Sequence, residues 1–510
     1  MTEYQSVAIV NTGIALPVQS VRNESKLLQD RIFYDPTGER VKYTKGENRG
    51  EIKPTSAIIN TLEEITTIRE RRFSKPGETT FDYVVGSAQD CLENSGTNPN
   101  SLKVFGVAHN FGEVGQIGAT HDLVPPRASR AKHGMGITDT NVIAYDIIAT
   151  REDAEEILSH VAGGEGHLIL GDGVDSMNEQ DVGAQARREL ESGKYDPNNL
   201  SSIVVVHDPN VVESVSRKAA ERLGIRKGVL TYDLLGGCPG LLQMIIQSKD
   251  VLDPEEKALY TGAELLYKVS DDSDMSSLIF SCGAGTMEVR GIKSDKPTGL
   301  LGSHSITDAE KAYLLWMGEA FDKDKRDGRK NPFLHMDGPS LYRLVMKAGP
   351  DVTIKALENA GVSLRDIDMF LYHQANGKMD ADTLAYTLRA LGAETKKVKL
   401  EGDKIMVSDY GLKKYFNPGL VAKLHEDFGD KEFYDADEIA SVSMPMTIAQ
   451  IGNNSVATLP ILWHMIFSGR FSNFNVKKGT RINLKSMGAG TNINDVIYET
   501  TGLERFAIAT

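Results

Sequence analysis

The stretch Val229–Ile246, VLTYDLLGGCPGLLQMII, constrains the fold more than any other part of the chain. Val229 to Leu235 is mostly apolar and bounded by glycines, the pattern of a buried strand. Gly236 and Gly237 permit a tight turn and the close approach of a second backbone or a ligand. Pro239 suits a first helical turn, where its missing N–H would be unpaired anyway. Leu241 to Ile246 is apolar almost all round, so the helix that follows must be buried. Strand, glycine turn and buried helix in that order require a sheet covered by helices, an α/β architecture. The same unit sets one thiol, Cys238, at the positive end of a buried helix, a field that lowers a thiol pKa and favours a nucleophile. The plainer reading of Cys238 is a small buried hydrophobe, which is what most free cysteines are.

With 510 residues the chain has room for roughly two to four domains. Its formal net charge of −14 argues against a general nucleic-acid binder or a binder of anionic membranes. The three cysteines, Cys91, Cys238 and Cys282, form no CxxC pair and no zinc spacing. That pattern predicts neither a disulfide framework nor a metal site, and it fits a reducing compartment. No basic-then-apolar leader opens the sequence, and no apolar run is long enough to span a bilayer. A cytoplasmic protein is expected.

The first half contains an internal repeat. Val107-Ala-His-Asn110 recurs as Val205-Val-His-Asp208, an offset of 207 − 109 = 98. Asn141–Ile148 recurs as Gly228–Leu235, an offset of 232 − 145 = 87 at the tyrosine. Ala128-Ser-Arg recurs as Val215-Ser-Arg, and His167-Leu-Ile-Leu-Gly171 pairs with Ala258-Leu-Tyr-Thr-Gly262. Each copy alternates strand and helix, which suits a layered α/β design. Arg151 holds the place of Cys238 in the first copy, so that copy has no thiol chemistry.

Elsewhere the patterns predict a first strand over Ser6–Leu16 and a helix over Thr80–Asn94. Glu64–Arg72 reads as a solvated helix face, and Met275–Val289 as strand, glycine turn and strand with a structural Cys282 in the turn. Residues 393–440 read as a charged, irregular excursion from the core. Asp368–Asn376 (DMFLYHQAN) is a strand ending in a polar cluster. Gln450–Pro460 (QIGNNSVATLP) is a glycine turn opening a helix, and Arg481–Gly490 (RINLKSMGAG) is a strand ending in small residues.

Cys238, His373 and Asn453 thus offer a thiol, an imidazole and a carboxamide at the ends of apolar strands, where sites in α/β folds gather. Singly, a strand-end histidine is more often structural, and an asparagine in a turn is there for its backbone preference. Together, YDLLGGCPG, LYHQANGKM, IGNNSVATLP and SMGAG resemble, in this order, the thiolase superfamily, and more narrowly β-ketoacyl-acyl-carrier-protein synthase III. The opening SVAIVNTGIALP and the segment IRERRF are similar to that family as well.

The resemblance implies a thiolase-like layered αβαβα fold of two related halves, 1–300 with the nucleophilic cysteine and 301–510 with the histidine and asparagine. A partial duplication would lie within about 100–200. It implies catalytic Cys238, His373 and Asn453, with the backbone N–H groups of Cys238 and Ala489 as the oxyanion site. It implies an acyl-cysteine intermediate and decarboxylating condensation of an acyl thioester, on coenzyme A or a carrier protein, with malonyl-acyl carrier protein. It implies a homodimer and neither metal nor organic cofactor. Lys378, the basic residue after HQAN, would contact the acidic carrier protein. Arg217, Lys218, Arg222, Arg226 and Lys227 form a second basic cluster whose plain reading is a solvated face. Non-decarboxylating acyl transfer is a variant within the same class. The alternative is a non-catalytic thiolase-like subunit that binds acyl groups or scaffolds a partner.

Overall fold

Val104 and Ala108 belong to one buried core, Phe105 and Val107 to another, so this strand is covered on both faces. The period-two alternation therefore demands helices on each side of its sheet. The computed structural model describes residues 4–121, 123–161, 166–171, 179–193, 195–196, 199–400 and 402–504. Among them the larger sheet has eight strands, in the spatial order Tyr4–Ala15, Cys282–Ser294, Lys257–Leu265, Val104–Ala108, Leu230–Leu235, Ile143–Ile148, Ser202–His207, His167–Leu170. A second sheet runs Gly299–Thr307, Asn492–Glu499, Arg481–Gly488, Met369–Tyr372.

Two apolar helices, Gly240–Val251 and Thr458–Phe467, lie between the sheets. Leu241, Ile245, Leu459, Leu462 and Trp463 share one core with Leu234, Tyr260, Leu371, Leu484 and Val496 from the inner faces. Thr80–Ser95 and Val215–Arg222 cover the outer face of the first sheet. Gly338–Ala360 and Gly377–Ala390 cover that of the second. The result is the expected αβαβα layering.

The internal repeat is present in the strand pairing itself. Val104↔Leu230 of one parallel pair corresponds to Ser202↔Ile143 of another, and Val104↔Ala258 corresponds to Ser202↔His167. These registers preserve the sequence offsets at every strand. The copies are interleaved: the first strand of each lies between strands of the other.

Three expectations need correction. Glu64–Arg72 is not one helix face. The helix Thr55–Thr66 stops at Thr67, whose φ is 64°, and Glu70–Phe73 pairs with Gln19–Arg22. Arg71 is buried there, donating to Asn23 Oδ1 at 2.8 Å. Met275–Val289 holds no glycine turn. Met275–Ile279 is a short 3₁₀ helix, and Cys282–Ser294 is one continuous strand. Its glycines admit close neighbours: a Cβ on Gly283 would lie 2.9 Å from Leu16, and one on Gly285 would lie 2.8 Å from Pro460. The 393–440 excursion is folded. Thr395–Leu400, Gly402–Ser408 and Phe433–Asp435 form a sheet, and Leu412, Phe416, Leu424 and Tyr434 join a core with Leu384 and Phe370. Its apolar residues are spread among charges at helical spacing, which hid them.

Candidate functional site

Cys238 follows the strand Leu230–Leu235 and precedes the helix Gly240–Val251, with Pro239 as the helix cap. Gly237 has φ of 77°, and a Cβ there would lie 2.6 Å from the backbone nitrogen of Ala489. A Cβ on Gly488 would lie 2.4 Å from the backbone nitrogen of Cys238. The two glycine turns, one from each sheet, therefore press backbone on backbone, as only glycine allows. Asn492 Nδ2 donates to Gly236 O at 3.0 Å and fastens the second sheet to the nucleophile turn.

Burial pushes the Cys238 thiol up to about 12, and a hydrogen bond with Ser455 partly offsets this. The expectation of a lowered thiol pKa is corrected: burial outweighs the field of the helix end. The thiol is half-buried and opens on a cavity, so the full shift applies once water has left it. Ser455 Oγ lies 3.2 Å from Cys238 Sγ and accepts from Asn110 Nδ2 at 3.2 Å. Asn110 Nδ2 also donates to Glu264 Oε1 at 2.8 Å. Burial raises the Glu264 carboxyl to about 8, so it carries a proton at neutral pH.

His373 follows the strand Met369–Tyr372, and its backbone N–H donates to Lys485 O at 2.7 Å. Burial lowers its imidazole to about 3, so the ring is neutral. Thr458 Oγ1 lies 3.2 Å from Nδ1. A hydroxyl donating there leaves the ring proton on Nε2. Gln374 accepts from the backbone N–H of Thr447 at 2.8 Å and of Ile448 at 3.0 Å, joining the HQAN run to the segment before Asn453. Asn376 caps the helix Gly377–Ala390 by accepting from Lys378 N and Met379 N.

Asn453 Oδ1 accepts from Ser455 N at 2.8 Å, and the Asn453 backbone is tied to Ile279 and Ser281. The amide's oxygen end is thus occupied. Asn454 instead donates to Cys282 O at 2.8 Å and faces the sheet.

Cys238, His373, Asn453, Ser455 and Ala489 all line one cavity of about 990 Å³. Its walls include the apolar Phe111, Val124, Phe280, Leu315 and Leu341, and Lys42, Lys45, Lys53, Arg343 and Lys378 also line it. Arg217, Lys218, Arg222, Arg226 and Lys227 are exposed on and beyond the helix Val215–Arg222, away from that lining.

No protein-family model matches the chain. A β-ketoacyl-[acyl-carrier-protein] synthase III of Syntrophomonas wolfei is 28% identical over 232 residues, which are 44% of this chain and 66% of that protein. Among solved structures, 3-oxoacyl-(acyl carrier protein) synthase III of Pseudomonas aeruginosa PAO1 superposes with a TM-score of 0.51 at 14% identity. That match covers 97% of this chain and 98% of the other. Cerulenin-bound OleA of Xanthomonas campestris gives 0.52 at 14% identity, covering 97% of each chain. The fold is thiolase-like. In sequence the chain is similar to the β-ketoacyl-acyl-carrier-protein synthase III of Syntrophomonas wolfei over less than half its length.

This cavity brings together Cys238, His373, Asn453, Lys378 and Ala489, with Ser455 and Asn110 in addition, and Glu264 stands behind Asn110. Ser455 and Asn110 stand inside the motifs GNNS and VAHN, where their spacing to a named residue was the available signal. Glu264 lay in an ordinary apolar strand with nothing to mark it. Ser455 has φ of 52°, an uncommon backbone for serine and a kind of strain found at functional sites.

Proposed function

We propose that the chain is an acyltransferase that condenses an acyl thioester with malonyl-acyl carrier protein, with loss of carbon dioxide, through an acyl-Cys238 intermediate. One observation carries this reading: a thiol, a neutral imidazole and an amide line a single largely apolar cavity beside two abutting glycine turns. A binding module has no need of that set.

The thiol must lose its proton as it attacks. The departing thiol carries away one proton in its place, so the exchange of thiols balances. The carbonyl oxygen, negative in the tetrahedral intermediate, is held by the N–H groups of Cys238 and Ala489. The malonyl thioester then enters and its terminal carboxylate leaves as carbon dioxide. The electron pair of the broken carbon–carbon bond passes to an enolate, whose oxygen accepts hydrogen bonds from His373 Nε2–H and Asn453 Nδ2–H. The enolate carbon attacks acyl-Cys238, forms the new carbon–carbon bond and expels the thiolate. Lys378 and the other cations lining the cavity suit an acidic carrier protein.

The test is carbon dioxide release from malonyl-acyl carrier protein, followed with and without an acyl donor. The wild type should release it, and His373→Ala or Asn453→Ala should lower release at least a hundredfold while Cys238 still takes the acyl group. Acylation without any malonyl turnover in the wild type would reject the condensation.

A further inference from the structure

The two copies of the repeat meet about a local two-fold axis. The middle strands of the two copies, Ile143–Ile148 and Leu230–Leu235, pair antiparallel at Asp146↔Leu235, Ile147↔Leu234 and Ile148↔Asp233. With the offset of 87, Ile147 corresponds to Leu234, Asp146 to Asp233 and Ile148 to Leu235. The pairing is therefore symmetric about Ile147–Leu234, with residue i against j and j against i. That is the signature of a two-fold interface between identical subunits. The buried histidine–aspartate contacts cross in the same sense. His109 Nε2 faces Asp233 Oδ1 at 3.5 Å, and His207 Nε2 faces Asp146 Oδ2 at 3.0 Å, each histidine from one copy and its aspartate from the other.

Chain direction shows how this arose in one molecule. Val104–Ala108 lies beside the cysteine strand. After Ala108 the chain lays down Ile143–Ile148, His167–Leu170 and Ser202–His207 on the far side. It returns to build Leu230–Leu235. Without that block, the strand leading to Cys238 would be an unpaired edge, a template for another chain. The block also reaches the site. Val124 lines the cavity, and a Cβ on Gly490 of the oxyanion turn would lie 2.6 Å from Ser129 and 3.1 Å from Pro126. Lys132 Nζ donates to Thr307 O at 2.6 Å, clamping the block to the second sheet. Among the described residues the block offers no second thiol: Arg151 replaces the cysteine, and His167–Leu170 ends the described sheet.

We propose that residues 109–207 replace a second subunit in cis. The block closes the edge at which two copies would join and completes the wall of the Cys238 cavity, so the chain works as a monomer with one site. The homodimer implied by resemblance is then unnecessary. The catalytic part of this inference rests on the condensing reading above; the assembly part does not.

Sedimentation equilibrium of the full chain, from nanomolar to tens of micromolar, should give one species of 55.8 kDa. Transfer of an acyl group to Cys238, per chain, should not change over that dilution. A species of twice the mass, or a rate that falls on dilution, overturns the proposal. Mixing Cys238→Ala chains with Val124→Trp chains should restore no acyl transfer, because each site lies within one chain. Recovery of activity in the mixture would show a site shared between chains. Full labelling of Val124→Trp alone would remove the block from the cavity wall. If Cys238 accepts no acyl group at all, the measured mass still decides the assembly, so the two readings fail separately.

Discussion

Ser455→Ala isolates the group that tunes the nucleophile. The substitution removes one hydroxyl, 3.2 Å from Cys238 Sγ, and keeps the backbone N–H that holds Asn453 Oδ1 at 2.8 Å. A hydrogen bond to a charged group contributes about 1.5–3 kcal/mol. At 1.36 kcal/mol per pKa unit, its loss should raise an already high thiol pKa by about one to two units. The assay is alkylation of Cys238 by iodoacetamide as a function of pH. In the wild type, burial holds the thiol near 12, so the rate should climb about tenfold per pH unit between pH 7 and 10 with no plateau. Ser455→Ala should run parallel to that line and about 10- to 100-fold below it. Ser455→Gly should lose reactivity equally but be at least as stable as the alanine variant, because glycine accepts the φ of 52°. A plateau below pH 8 in the wild type, or equal rates in wild type and Ser455→Ala, would show that neither burial nor the Ser455 hydroxyl governs the thiol.

Gly488 has an extended φ of −175°, so Gly488→Ala acts through space alone: its Cβ would meet Cys238 N at 2.4 Å and Sγ at 2.9 Å. Acyl transfer should fall about 100-fold or more, the usual cost of a misplaced oxyanion donor, and an unchanged rate would reject the abutting turns. Glu264 carries a folded pKa of about 8 against an ordinary 4.5. Stability that is full below pH 4.5 should therefore decline as pH rises toward 8, by up to about 5 kcal/mol. Glu264→Gln should abolish that part of the decline in denaturant titrations, and an unaltered pH profile would count against the buried acid. Lys378→Glu should raise KM for malonyl-acyl carrier protein about tenfold at low salt and leave iodoacetamide reactivity alone; equal KM values would remove Lys378 from the carrier contact.

The nucleophile turn, the HQAN run, the GNNS turn and the SMGAG strand were legible because each joins an apolar strand to a polar or glycine end. That junction is local in sequence. Asn454 could be set aside for Asn453 by order alone, and the structure turns it into the sheet. What sequence patterning missed depends on distant partners. Arg71 lies in a charge run that looks solvated, yet Asn23 and the strand Gln19–Arg22 bury it. Gly283 and Gly285 look like a turn but are small because Leu16 and Pro460 lie against them. The repeat was readable as a series of offsets. Its interleaving was not, since pairing between copies leaves no trace in either copy. The thiol pKa was misjudged because burial depends on everything packed around Cys238, whereas the helix end is local.

The account stands on one covalent event. Incubation with an isotopically labelled acyl thioester, followed by peptide mass analysis, should place one acyl group per chain on the peptide containing Cys238. Cys91 and Cys282, both buried, should stay unlabelled, and Cys238→Ser should carry no thioester-linked label. An acyl group on another residue, or none on a folded wild-type chain, would contradict the account.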